Sequence, residues 1–172
     1  LPCYIAKQCM SRQWVLQMGE GYYGRHGTLG IATPQANVTA ETEFRALLPR
    51  GVACATVRMA SDAPDPEDRL RAYFTDIGQT LDRFDTLAMG AVGLACTGSS
   101  YLLGHESVEA TLAALSTRRQ QPVISAAAAI ERALNHIGAR SIALICPYPE
   151  WLLAAAERHW QERGFVLADR FS

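Results

Sequence analysis

The residue best suited to chemistry in this sequence is Cys96, which lies between an apolar run and a segment of small polar residues. A thiolate can attack an activated double bond, or exchange a proton on the carbon next to a carboxylate. Thr97 and Ser99 would place hydroxyl donors beside it, and Gly98 would let the backbone approach a ligand closely. The alternative is a buried, inert thiol at the end of a strand, because free cysteine is among the most buried residue types.

Two other segments could complete a site for a small carboxylate. Asn37, in the loop that begins at Pro34, offers both a donor and an acceptor, and Tyr148 offers a phenol in the turn 147–149. The alternatives are an Asn37 that caps its own loop and a Tyr148 that is an amphipathic residue at the surface. Together with Thr97 and Ser99, these side chains would bind a carboxylate by neutral donors without an arginine.

The other candidate motifs predict neither a metal nor a cofactor. The four histidines lack metal-ligand spacing, and only His105 follows Cys96 closely enough to be considered as a base. Gly90 and Gly93 lie inside a predicted strand rather than after it, which does not fit a dinucleotide fingerprint. We therefore expect a site that needs no cofactor.

A regular alternation of strands and helices would position these residues. The run that ends at Cys96 is apolar throughout, as is typical of a central parallel strand covered on both faces. Because parallel strands share one polarity, the loops after Thr33, Ala95 and Cys146 should lie on the same rim of their sheet. The predicted strands are 28–33, 52–59, 86–96, 122–125, 141–146 and 165–168, and the predicted helices are 41–48, 65–83, 107–118, 126–137 and 150–163.

Composition narrows the class of protein. With 172 residues, of which 49% are hydrophobic, the chain can bury a substantial core. A net charge of −1 with interspersed signs predicts no nucleic-acid partner, and no apolar run is long enough for a membrane span. Five cysteines without CxxC spacing, and no signal-peptide pattern, predict a reduced, cytoplasmic protein. Residues 1–26 show no sustained period and form an extension of uncertain structure.

Four segments in this order resemble the Asp/Glu racemase superfamily, on the branch of maleate cis-trans isomerase and arylmalonate decarboxylase. The resemblance covers residue 28 to the end of the sequence. The segments are GIATPQANVTAETE (30–43), ACTGS (95–99), PVISAA (122–127) and GARSIALICPY (138–148).

The resemblance implies an α/β fold of two similar flavodoxin-like parallel-sheet domains related by a pseudo-twofold axis, with a cofactor-free site between them. It places the first domain at 27–118 and the beginning of the second at 119–172, so the second is expected to be incomplete in this chain. Cys96 would be the nucleophile or base. The resemblance also implies substrate binding by a set of residues at the sheet rim, namely Pro34, Asn37, Thr97, Gly98, Ser99 and Tyr148.

One departure from the family pattern concerns the second catalytic cysteine, which lies beyond the last residue of this sequence; Cys54 and Cys146 do not match it. The leading hypothesis is an isomerase or racemase of a small dicarboxylate or amino acid. An arylmalonate decarboxylase-like enzyme is the first alternative, although those enzymes typically have glycine at the position of Cys96. An inactive carboxylate-binding module and a flavodoxin-like nucleotide-binding domain are the others. Homo-oligomerisation stays open.

Overall fold

A computed structural model describes residues 24–171, so the predicted N-terminal extension lies almost wholly outside the described residues. Strands and helices alternate along the whole described chain. The strands are β1 (Thr28–Pro34), β2 (Ala53–Met59), β3 (Ala91–Leu94), β4 (Val123–Ser125), β5 (Ser141–Ile145) and β6 (Val166–Phe171). The helices are α1 (Thr39–Leu47), α2 (Pro66–Thr75), α3 (Ile77–Asp82), α4 (Thr97–Leu103), α5 (His105–Arg119), α6 (Ala126–His136) and α7 (Glu150–Glu162).

The strands form two parallel sheets. The first has the order β2-β1-β3-β4, and the second pairs β5 with β6. Ile31, Ala32 and Thr33 in β1 are fully buried, because this strand lies between two neighbours and carries apolar or small side chains on both faces. The predicted α/β fold with parallel sheets is confirmed, and its division into two similar domains stays a prediction. We call residues 28–136 the first region and residues 141–171 the second region.

Strand β4 lies in the first sheet, whereas the predicted boundary after residue 118 assigned it to the second unit. Val92, Gly93 and Leu94 of β3 pair with β4 in parallel register. The physical reason is burial: Val123 and Ser125 are both buried, and pairing at the sheet edge satisfies their backbone groups. Helices α5 and α6 both pack against β4 and hold it there.

Three elements differ from their predicted bounds. The predicted helix 65–83 is divided at Asp76 into α2 and α3, although Asp65 caps its start as its sequence pattern indicates. The predicted strand 86–96 is shorter because the chain turns between Phe84 and Leu87, with Asp85 in the left-handed region at φ 52°. The chain then enters the short helix α4, which the sequence did not predict.

No helix within residues 24–171 is both long enough and apolar enough to cross a membrane.

Candidate functional site

The loops after β1 and β3 lie side by side at the carboxyl end of the first sheet. Ala32 is paired with Leu94, and the Ala95 backbone N–H donates to the Ala32 carbonyl at 2.8 Å. Pro34 and Cys96 each lie two residues further along and so reach the same rim. This is the part of an open α/β sheet where ligands usually bind.

Cys96 is partly exposed at this rim. Its backbone is extended, with φ −146° and ψ 102°, and the next residue begins α4. Its Sγ atom is 3.3 Å from the Ser99 hydroxyl, and its side chain packs against the core beneath the sheet. Cys96 is of intermediate burial, so it is not fully enclosed, and its role as nucleophile or base stays a prediction.

Tyr148 reaches the same rim from the second region. Its hydroxyl is 2.9 Å from the Thr97 hydroxyl, one residue after the cysteine. Burial raises the pKa of Tyr148, the hydrogen bond with Thr97 offsets part of that increase, and the nearby Cys146 and Cys96 thiols raise it further. The phenol therefore stays protonated at neutral pH and can donate a hydrogen bond to a bound anion.

The Asn37 side chain has a defined orientation in its loop. Its Oδ1 atom accepts hydrogen bonds from the backbone N–H groups of Thr39 at 2.9 Å and Ala40 at 3.1 Å. Thr39 and Ala40 are the first two residues of α1, so this geometry matches the alternative in which Asn37 caps its own loop. Because Oδ1 is used by the helix, the Nδ2 group is the part of the amide that can donate to a ligand.

Arg58 holds this loop in place, and sequence reasoning missed it. From β2 its guanidinium donates to the backbone carbonyls of Pro34, at 3.3 Å, and Asn37, and it pairs with the Glu41 carboxylate in the first turn of α1. The sequence feature that could have indicated this role is a charged residue within a strand whose other residues are apolar or small. A partly buried arginine there needs acceptors, and the loop supplies them.

Gly98 and Ser99 face the protein interior. A Cβ atom on Gly98 would lie 3.1 Å from Leu70 Cδ1 and 3.6 Å from Leu152 Cδ2, so the glycine permits close packing of α4 on α2 and α7. Ser99 is 3% exposed, and its hydroxyl donates to the Leu70 carbonyl at 2.7 Å. Their predicted contacts with a substrate stay predictions.

A cavity of about 300 Å³ opens beside Thr97, in the volume range of small-ligand pockets. Its lining is mainly apolar and comes from α1, from Ala95 and Thr97 after β3, and from the start of α6, and it does not include Cys96. The lining residues are Ala40, Glu43, Phe44, Leu47, Ala95, Thr97 and Ala126. His105 instead lines a separate cavity with Glu162 and Arg163, so the structure does not bring this candidate base to the site. Within residues 24–171, no cluster of three or more potential metal ligands occurs.

No protein-family profile matches the chain. Maleate isomerase from Geobacillus stearothermophilus is 29% identical over 168 residues, which cover 86% of this chain and 64% of the relative. Maleate isomerase from Nocardia farcinica is 28% identical over 150 residues, 82% of this chain and 59% of the relative. The chain therefore spans less than two thirds of the length of these relatives.

Solved structures give the same picture of the fold. Maleate isomerase Iso from Pseudomonas putida S16 superposes with a TM-score of 0.75 at 19% identity, over 84% of this chain and 63% of that chain. A mutant of the Nocardia farcinica maleate cis-trans isomerase with a covalently bound succinylcysteine intermediate gives a TM-score of 0.75 at 23% identity. The match covers 84% of this chain and 62% of that chain. Unliganded arylmalonate decarboxylase gives a TM-score of 0.63 at 19% identity, over 84% of this chain and 60% of that chain. The resemblance to the Asp/Glu racemase superfamily, on its maleate isomerase branch, is confirmed.

Proposed function

We propose that this chain is part of a cofactor-independent cis-trans isomerase of a small dicarboxylate such as maleate, with Cys96 as the nucleophile. The observation that carries the proposal is a partly exposed thiol at the rim of a parallel sheet, next to the Thr97–Tyr148 hydroxyl pair. The relatives support it, since they are maleate isomerases, and one related structure contains a succinylcysteine. A cytoplasmic location belongs to the proposal because the chemistry requires a reduced thiol.

The reaction needs one bond to form and break again. The Cys96 thiolate adds to one alkene carbon, a sulfur–carbon bond forms, and the π electron pair moves onto the neighbouring carbon and its carboxylate. The former double bond is now single and rotates. The electron pair then reforms the double bond in the trans geometry and expels the thiolate, so that atoms, electrons and protons balance without a cofactor.

Neutral donors would stabilise the charge that develops during addition. Within the Tyr148–Thr97 pair one hydroxyl donates to the other, so the pair offers one free O–H donor. That donor and the Asn37 Nδ2 group would donate to a carboxylate oxygen as it gains electron density. Arg58 supports this arrangement indirectly by fixing the loop of Asn37. Pro34, which lies at the same rim, and Gly98 complete the proposed binding segment.

Replacement of Cys96 by alanine in the full-length gene product tests the proposal. We expect turnover of maleate to fumarate, followed by proton NMR, to fall by at least about a thousandfold, because the sulfur that carries the intermediate is removed. Cys54→Ala is the matched control, since Cys54 lies within β2 away from the rim, and its activity should stay near that of the parent protein. Parent-like turnover in Cys96→Ala would show that Cys96 is not the nucleophile.

The same preparation separates the alternative functions. Racemisation of aspartate without maleate turnover would indicate a racemase, and loss of CO₂ from an arylmalonate would indicate a decarboxylase. Tight binding of maleate without any turnover would indicate a binding module. Each of these outcomes would contradict the isomerase proposal.

A further inference from the structure

The Ser99 hydroxyl lies between the Cys96 sulfur and a backbone carbonyl. Its oxygen is 3.3 Å from Cys96 Sγ and 2.7 Å from the Leu70 carbonyl oxygen, and the residue is 3% exposed. A serine hydroxyl carries a single proton and two acceptor lone pairs. It cannot donate to both neighbours at once, so the protonation state of the thiol decides where its proton points.

When Cys96 is a protonated thiol, Ser99 can make both hydrogen bonds at once. Ser99 donates to the Leu70 carbonyl, and its oxygen accepts the Cys96 S–H. When the thiol ionises, this arrangement would point oxygen lone pairs at a negatively charged sulfur. The Leu70 carbonyl lies inside α2, where the helical pattern gives it the Phe74 N–H as a partner. The carbonyl can therefore release Ser99 without being left unpaired.

We infer that Ser99 is a positioning residue for Cys96, whose hydroxyl turns from the Leu70 carbonyl to donate to the thiolate. The proton released by Cys96 leaves to solvent, and Ser99 keeps its own proton and only reorients it. The inference rests on the proposed function, in which Cys96 reacts as a thiolate. It replaces the predicted role of Ser99 as a contact of the substrate.

The fold maintains this arrangement through backbone packing. Cys96 immediately precedes α4 and Ser99 is the third residue of that helix, so their side chains meet across its first turn. The missing side chain of Gly98 lets α4 approach Leu70 closely enough for the 2.7 Å contact. The hydroxyl is thus held against the sulfur from the protein interior.

Other ionisable groups near Cys96 come from two elements. Tyr73 lies on α2, with Arg69 near it, and Tyr148 lies in the loop between β5 and α7. Burial raises the pKa of both tyrosines, so they remain neutral through the physiological range. The Arg69 guanidinium is engaged by the Ala63 carbonyl at 2.9 and 3.1 Å. Ser99 is therefore the donor whose removal should change the reactivity of the sulfur.

Alkylation of Cys96 by iodoacetamide, from pH 5 to 9, tests the inference, with the Cys96 peptide followed by mass spectrometry. In Ser99→Ala we expect alkylation at pH 7 to slow by about tenfold and the profile of rate against pH to move to higher pH. The reason is that the thiolate loses a hydrogen bond. Ser116→Ala is the matched control, since Ser116 also donates to a helical carbonyl, that of Leu112 at 2.7 Å. Its profile should coincide with that of the parent protein.

A parent-like profile in Ser99→Ala would overturn the inference. Ser99→Thr keeps a hydroxyl and should restore the parent profile, whereas a profile like that of the alanine variant would also contradict it. If Ser99→Ala does not fold, Ser99→Cys replaces the hydroxyl by a weaker donor, and fragment spectra distinguish label on Cys96 from label on the new cysteine. The pH profile of Cys96 alkylation should then lie between those expected for the parent protein and for Ser99→Ala. A parent-like profile would count against the inference. The alkylation assay uses no substrate. A failure of this inference can therefore be distinguished from a failure of the isomerase proposal, which would appear as parent-like turnover in Cys96→Ala.

Discussion

The two regions of the molecule bury their strands to different extents. In the first region, Ile31 at the centre of β1 is fully buried. In the second region, Ile145 is 79%, Val166 64% and Phe171 53% exposed, because α7 covers one face of a sheet of only two strands. The proposed nucleophile, Cys96, thus follows a strand of the sheet with the larger core, whereas Tyr148 lies in the region with the smaller one.

Helix α4 joins the two regions at the site. Its first residue, Thr97, contacts Tyr148, and Gly98 packs against Leu70 on one side and Leu152 on the other. Near its end, the Tyr101 ring lies 6.2 Å from that of Trp160, measured between centroids. The geometry of the site therefore depends on the second region staying folded against α4.

The largest effect should come from Trp160→Ala, which removes the largest side chain of the second core. Trp160 is 2% exposed and packs with Leu144, Ala156 and Phe165. We expect a loss of about 3–5 kcal/mol in the free energy of unfolding of this region, because a large cavity replaces the ring. Hydrogen exchange should then show loss of protection in residues 141–171 while β1 to β4 remain protected.

Leu81→Ala in the first region is the reciprocal variant, since Leu81 is fully buried beneath the first sheet. It should reduce protection in residues 28–136 more than in the second region. If either variant lowered protection equally in both regions, the two regions would unfold as one cooperative unit. The proposed difference in their stability would then be wrong.

The next effect concerns the hydroxyl pair that connects the regions. In Tyr148→Phe the ring remains while the bond to Thr97 and the proposed donor to the substrate are lost. We expect kcat/KM for maleate to fall by about ten- to a hundredfold, with a loss of stability of about 1 kcal/mol. A double-mutant cycle with Thr97→Val measures the coupling directly. Fully additive effects on kcat/KM would show that the two hydroxyls do not act together.

Sequence patterns predicted the rim of this site better than its interior. Cys96 and Thr97 follow a strand of the first sheet, so strand polarity predicted their position at its rim. Tyr148 follows β5 in the separate two-stranded sheet, and its contact with Thr97 depends on how the second region packs. The inward orientation of Ser99 depends on how a seven-residue helix packs on α2, and periodicity within so short a segment cannot determine that. Arg58 was missed for a similar reason, because its acceptors are backbone carbonyls 21 and 24 residues away in the chain.

The smallest effect should appear as a dependence of stability on pH in the second region alone. His159 is 5% exposed and lies 5.0 Å from the Tyr101 ring and 5.1 Å from the Trp160 ring, measured between centroids. Burial lowers the pKa of His159 from its ordinary value of 6.5, and the nearby His105 and Arg163 lower it further. The unfolded chain therefore binds a proton more readily than the folded one.

Because protonation favours the unfolded state, the stability of the second region should fall as the pH decreases through about 6.5, and it should be constant above that value. We expect a loss of about 1 kcal/mol between pH 7.5 and 5.5, measured by hydrogen exchange of residues 141–171. His159→Gln should remove this dependence, whereas His136→Gln, at an exposed position on α6, should retain it. If His159→Gln kept the full dependence, the pH response would come from another group. A loss of protection that extended to β1 would instead show that the smaller core cannot loosen without the larger one.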